Sequence, residues 1–163
     1  MDRLLLSLLV AAFFALAVYG MWKGWRRQAI AQSVRIPPFP EVPEVTGEPV
    51  MTTKGLYVAT TNAGHWQQRV VTRGVGMRGP AELRLFDDGI EVDRAGAKGF
   101  WIPRESIVEL KTAKGMAGKV MGTDSLLVLT WRLGDVELDT GFRGDDLGEY
   151  PQWIEEVKGG AQV

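Results

Sequence analysis

The nineteen residues that begin at Leu4 and end at Trp22 (LLLSLLVAAFFALAVYGMW) contain no charge and one polar side chain, Ser7. A helix through them rises about 1.5 Å per residue and spans roughly 28 Å, close to the roughly 30 Å hydrocarbon core of a bilayer. Tyr19, Trp22 and Trp25 gather at its downstream end, where amphipathic rings favour the headgroup region. The run predicts a membrane anchor.

Flanking charge predicts its orientation. Upstream, Arg3 is opposed by Asp2; downstream, Lys23, Arg26 and Arg27 follow at once, with Arg35 beyond. The flank richer in Lys and Arg tends to stay cytoplasmic, so the expectation is a single-pass protein of the cell membrane with its C-terminal body inside. A cleaved secretory signal is the alternative, because Ala15-Leu16-Ala17 has the A-x-A form. Against it, the apolar run continues to Trp22 and the positive cluster lies on the wrong side. The chain has no cysteine, which excludes disulfides and thiolate metal sites and fits a reducing compartment.

Three segments follow: the anchor with its basic flank over residues 1–27, a proline-rich linker over 28–53, and one domain over 54–163. In the linker Pro37, Pro38, Pro40, Pro43 and Pro49 hold the chain extended, while Glu41, Glu44 and Glu48 favour solvation. It reads as a semi-rigid stalk, although Pro37 and Pro40 also satisfy the P-x-x-P recognition pattern. About 110 residues remain, enough for one core.

From Lys54 onward apolar and polar residues alternate with the two-residue period of half-buried strands. Strands are expected over 56–61 and 66–72, separated by Asn62-Ala63-Gly64. Ala81, Leu83 and Leu85 then alternate with Glu82 and Arg84, and Asp87-Asp88-Gly89 turns the chain into Ile90 and Val92. Further strands are expected at 100–102, 107–112, 125–132 and 136–140. Residues 125–132 (SLLVLTWR) are apolar on both faces, as suits a central strand. Leu147, Tyr150, Ile154 and Val157 recur at helical spacing after a cap at Asp145 or Asp146. Pro151 implies an irregular first turn or a helix that begins there. The expected fold is mainly β: about seven antiparallel strands in a small barrel or sandwich, capped by a C-terminal α-helix.

That order of elements resembles the pleckstrin-homology-like (PH-like) fold. With the anchor in front, the chain is similar to small bacterial, actinobacterial-type single-pass membrane proteins that carry a PH-like domain. The likeness rests on the anchor, the hairpin LRLFDDGIEVDR, the segments FWIPRESI, SLLVLTWR and DVELDTGFR, and the closing DDLGEYPQWIEEV. It implies a PH-like body of unassigned biochemical activity. Some such proteins are loosely labelled transporters, but one helix cannot by itself form a transport pathway.

Local motifs do not point to catalysis. Residues 74–79 (GVGMRG) spell G-x-G-x-x-G, but Pro80 and an alternating strand follow where a dinucleotide site needs a helix N-terminus. A loop whose glycines permit positive φ explains them. Residues 114–119 (KGMAGK) lack both the leading glycine and the Ser or Thr of a phosphate-binding P-loop. Lys111, Lys114 and Lys119 on and around this loop remain candidates for contact with an anionic lipid headgroup, against the plainer reading of a solvated loop. His65, the one histidine, reads as a turn residue. Asp87 and Asp88 read as turn formers, and Asp135, Glu137 and Asp139 as a solvated strand face. No catalytic residue, cofactor or metal site is expected.

Charge is unevenly spread. Residues 54–120 hold eleven basic and seven acidic side chains, and 121–163 hold three basic and nine acidic. A basic side facing an anionic leaflet would gain about 1 kcal/mol per near-surface Lys or Arg. Without a dense basic face, nucleic acid is not an expected partner. The functional expectation is a membrane-anchored, non-catalytic interaction module for a protein partner or the leaflet. The alternative is an accessory subunit of a membrane transport or envelope-synthesis complex.

Overall fold

The computed structural model describes residues 1–163 apart from 45–46, 66, 72–73, 117–118, 121–124 and 161–163, and apart from the side chains of 32–35, 115–116, 119–120 and 160. Helix α1, Asp2–Arg35, has 34 residues, about 51 Å at the usual rise. Over Asp2–Ala31 its most apolar window has a mean hydropathy of 2.4 with none of it covered by the domain, so it is long and apolar enough to cross a membrane.

Among the described residues the body contains nine strands: β1 Met51–Asn62, β2 Gly79–Phe86, β3 Gly89–Arg94, β4 Phe100–Pro103, β5 Ile107–Ala113, β6 Gly115–Met116, β7 Lys119–Val120, β8 Leu126–Leu133 and β9 Val136–Gly144. Seven form one antiparallel sheet in the order β4-β3-β2-β1-β9-β8-β5. The sheet has two edges, β4 and β5, and is not a closed barrel. Its bend lies in β1, which pairs with β2 through Met51–Tyr57 and with β9 through Gly55–Asn62, with a register shift between Tyr57 and Ala59. Gly55 pairs with both neighbours, and a Cβ there would meet the Arg143 carbonyl oxygen at 2.1 Å. Only glycine allows so close a backbone approach.

The expected strand at 66–72 does not form over its described part; a single bridge joins Thr61 and Arg69. Val70 and Val75 are instead buried from this β1–β2 connection. Asp87 and Asp88 make the two-residue turn between β2 and β3, whose pairing closes at Phe86 and Gly89. β8 is buried on both faces, as its composition predicts. The loop expected after β5 contains the β6–β7 hairpin. β6 reaches β1, and Val58, Ala59, Leu126 and Val128 form a second apolar cluster with Ala113 packed against it.

At the C-terminus Asp146 accepts a hydrogen bond from the Gly148 N–H at 2.9 Å, capping a 3-10 turn over Leu147–Glu149. Helix α2, Tyr150–Gly160, follows. Pro151 lies in its first turn, where its missing N–H costs nothing. Tyr150, Trp153 and Val157 are buried on the inward stripe. Polar bonds pin that stripe: Trp153 Nε1 donates to Thr53 Oγ1 at 2.8 Å, and Thr53 donates to Glu149. The Tyr150 hydroxyl accepts from the Gly144 N–H and donates to the Ser125 carbonyl, both at 2.8 Å. Burial pushes the Tyr150 hydroxyl pKa up.

The proline-rich segment is packed where the sequence suggests solvation. Ile36, the first residue past α1, is 3% exposed. Phe39 sits edge-on to Phe100 and Trp131 at centroid distances of 5.0 and 5.4 Å. The Trp101 N–H of edge strand β4 donates to the Pro40 carbonyl at 2.9 Å, and Lys98 pairs with Glu41 at 2.8 Å. The hydrogen bond from Lys98 holds the Glu41 carboxyl pKa below its ordinary value. Residues 36–41 thus form a strap across the β4 edge. Apolar burial at Ile36 and Phe39 is what holds an otherwise extended chain against the core.

Candidate functional site

The two sheet edges differ in what occupies them. β4 has four residues, ends in a proline and already donates to the strap. β5 has seven residues, pairs with β8 on one side only, and carries Val108, Glu109, Lys111 and Thr112 at exposed positions. An edge strand presents unpaired backbone donors and acceptors and is a natural template for another chain. In β5 the register with β8 shifts between Ile107 and Glu109, leaving Val108 without a partner across the ladder. Val108 is 47% exposed, as a bulge that re-aims its side chain would leave it.

Helix α2 packs beside β5 and leaves a groove of about 110 Å³ between them, lined by Arg104, Ile107, Val108, Leu110, Val157 and Lys158 among others. Arg104 follows β4 directly, in the 3-10 turn Arg104–Ser106. Its guanidinium donates to the Phe86 carbonyl at 3.2 Å and to the Glu156 carbonyl at 2.7 Å, joining β2 to α2. Its Nε is buried without a hydrogen-bond partner among the described residues. Neither Arg104 nor Lys158 pairs with a described carboxylate, whereas Glu109 faces Lys111 at 3.8 Å.

Of the three lysines singled out from sequence, Lys111 stands exposed on β5 and Lys114 exposed between β5 and β6. Lys119 lies in β7, and its side chain is outside the described residues. The structure therefore brings two of them to the free edge. Lys111 pairs with Val128 and Lys114 follows the Ala113–Leu126 pair, while the strap packs at Trp131 and beside Gly134. At about 3.3 Å per residue the two ends of β8 are roughly 23 Å apart.

The glycine motif at 74–79 is held in place from inside. Gly74 takes a left-handed φ of +74°. Buried Arg94 donates to the Gly74 and Met77 carbonyls at 2.9 and 3.0 Å, and its guanidinium lies 4.6 Å from the centroid of the Tyr57 ring. Tyr57 donates to the Val75 carbonyl at 2.8 Å. Each hydroxyl has one proton, so Thr60 must donate to Tyr57, Thr140 to Thr60, and Trp131 Nε1 to Thr140. Burial pushes the Tyr57 hydroxyl pKa up to about 12, the Thr60 hydrogen bond and the Arg94 and Arg69 charges opposing it. These groups serve packing.

His65 lies in the turn after β1, its N–H donating to the Asn62 carbonyl. Asp139 accepts from the Thr130 hydroxyl and from the Gly64 N–H. Among the described residues no three His, Cys, Asp or Glu side chains converge as a cation would require. The open edge was not visible in the sequence, because which strand ends a sheet follows from topology; the pair Glu109 and Lys111 flanking Leu110 was its one local sign.

The family model described as Bacterial PH domain-like matches residues 36–158, a stretch that begins with the strap and ends in α2. No curated protein matches the chain.

Proposed function

Because the chain belongs to the bacterial PH domain-like family, we propose that it is a membrane-anchored, non-catalytic interaction module that presents its domain to a cytoplasmic protein partner. PH-like domains generally act as binding modules. The observation that carries the reading is the direct succession of an exposed apolar helix, a strap packed on the domain, and a sheet whose far edge stays open. Such a chain holds a recognition surface near a membrane.

A protein partner is favoured over the leaflet by distance. The helix continues 13 residues beyond Trp22 to Arg35, about 20 Å when upright. Electrostatic attraction to a surface fades over a Debye length of about 8 Å at physiological salt. Lys114 lies past the end of β5 that is away from the strap, so its charge serves a partner better than a headgroup.

The test is crosslinking of the full chain in its native membrane beside a chain reduced to residues 1–35. A partner recovered with the full chain alone supports a domain-borne function. The same partner recovered with the helix alone would replace this reading with that of an accessory subunit of a membrane complex. In a chain that starts at residue 36, without the anchor, Lys111→Glu with Lys114→Glu should leave binding to anionic vesicles unchanged. Loss of that binding would return the leaflet to first place.

A further inference from the structure

Resting on the reading of a protein-binding module, we infer that the groove between β5 and α2 takes an extended peptide segment, which adds as a strand to β5, seats one aliphatic side chain in the groove and carries acidic residues beside it. Three features of the surface select this occupant over others.

The first is the backbone. β5 pairs with β8 alone, and beyond the N–H of its first residue, Ile107, which donates to the Arg104 carbonyl, no described main-chain bond leaves its other side, whereas β4 is already engaged by Pro40. A strand added at an open edge gains main-chain hydrogen bonds, and pockets for alternate side chains then select its sequence. The second is size. The groove's 110 Å³ is well below the roughly 300 Å³ at which small-molecule pockets begin, and its apolar wall of Ile107, Val108, Leu110 and Val157 suits one branched side chain. The third is charge. Arg104 and Lys158 line the groove without a described carboxylate, Lys114 stands exposed just past the end of β5, and the groove's acid, Glu109, already faces Lys111. Acidic side chains on the incoming segment supply the missing partners. The Arg104 Nε, buried and without a partner among the described residues, marks the guanidinium as incompletely satisfied in the free state.

The bulge at Val108 has a role here. It keeps two free edges from pairing indiscriminately while presenting Val108 to the one segment that fits.

The experiment pans a display library of random ten-residue peptides against the full chain in lipid nanodiscs. Enriched peptides should alternate apolar residues with Asp or Glu. They should bind at least about tenfold more weakly to Val108→Lys, which puts a charge where the apolar contact forms, and to Lys158→Glu, which inverts the groove's charge on an exposed helix position. Val50→Lys, the same change at an exposed residue outside the groove, should bind as the unaltered chain does. Enriched peptides that are basic, or that ignore both groove variants, overturn the inference, and so does a library from which nothing is enriched. Any of those outcomes leaves the module reading to the crosslinking experiment, which does not depend on where the partner binds.

Discussion

Tyr57 shows how a single residue can fix the connection between two strands. Its hydroxyl ends a buried donor chain from Trp131 through Thr140 and Thr60 and passes the last proton to the Val75 carbonyl. Replacing it with phenylalanine leaves that carbonyl without its donor and the Thr60 hydroxyl proton without its acceptor in the core, a cost of about 1–3 kcal/mol. Denaturant unfolding of Tyr57→Phe should show this loss with an unchanged slope. The same group sets an alkaline limit. Its pKa is near 10 unfolded and about 12 folded, so its contribution is complete below pH 10 and is lost as pH rises towards 12. At about 1.4 kcal/mol per unit the loss is roughly 2–3 kcal/mol across that window. The pH dependence of stability between 10 and 12 should therefore be shallower in Tyr57→Phe than in the unaltered chain. Equal slopes would mean that the hydroxyl is already ionised or solvated in the native state.

At the scale of elements the strap is the feature most open to test. Ile36 is buried, Phe39 is wedged between Phe100 and Trp131, and Pro40 blunts the β4 edge. Truncating large core side chains costs about 2–5 kcal/mol, and Phe39, only partly buried, belongs near the lower end. We predict that Phe39→Ala lowers stability by about 2 kcal/mol. A chain starting at residue 43 should be less stable than one starting at residue 36 by about 4 kcal/mol. Equal midpoints for the two would make the strap a passive stalk. The strap was illegible in the sequence because prolines hold a chain extended whether water or a core surrounds it; the clue was two apolar residues, Ile36 and Phe39, among them. Elements defined by their own periodicity were legible: β8, apolar on both faces, and the β2–β3 hairpin, with acids and glycine at its turn. Residues 66–72 misled because apolar side chains that plug a core from a loop, such as Val70, alternate with polar ones as a strand's would. The lysines at 111 and 114 could be read as residues, but their place beside an open edge required the strand order.

At the scale of the molecule, one chain joins a helix long and apolar enough to cross a membrane to a domain with an open sheet edge. α1 exceeds the bilayer's need: its apolar part accounts for about 28 Å of some 51 Å, and the rest is a basic, then polar, extension leading straight into the strap. Ile36, buried against the domain, follows α1 at once, and the β5 edge lies at the opposite end of the strand order from the β4 edge that the strap covers. This arrangement is useful to a cytoplasmic partner only if the domain lies on the side of the basic flank. The absence of cysteine allows a direct check with single introduced thiols. Gln152→Cys, exposed on α2, should resist a membrane-impermeant maleimide in intact cells and react once the membrane is opened. Asp2→Cys, at the other end of the helix, should react without opening. The reverse pattern would put the domain outside. Loss of residues 1–17 from the mature chain, read by mass, would show that the apolar run is a leader cleaved after Ala17, and the β5 groove would then await a partner beyond the membrane.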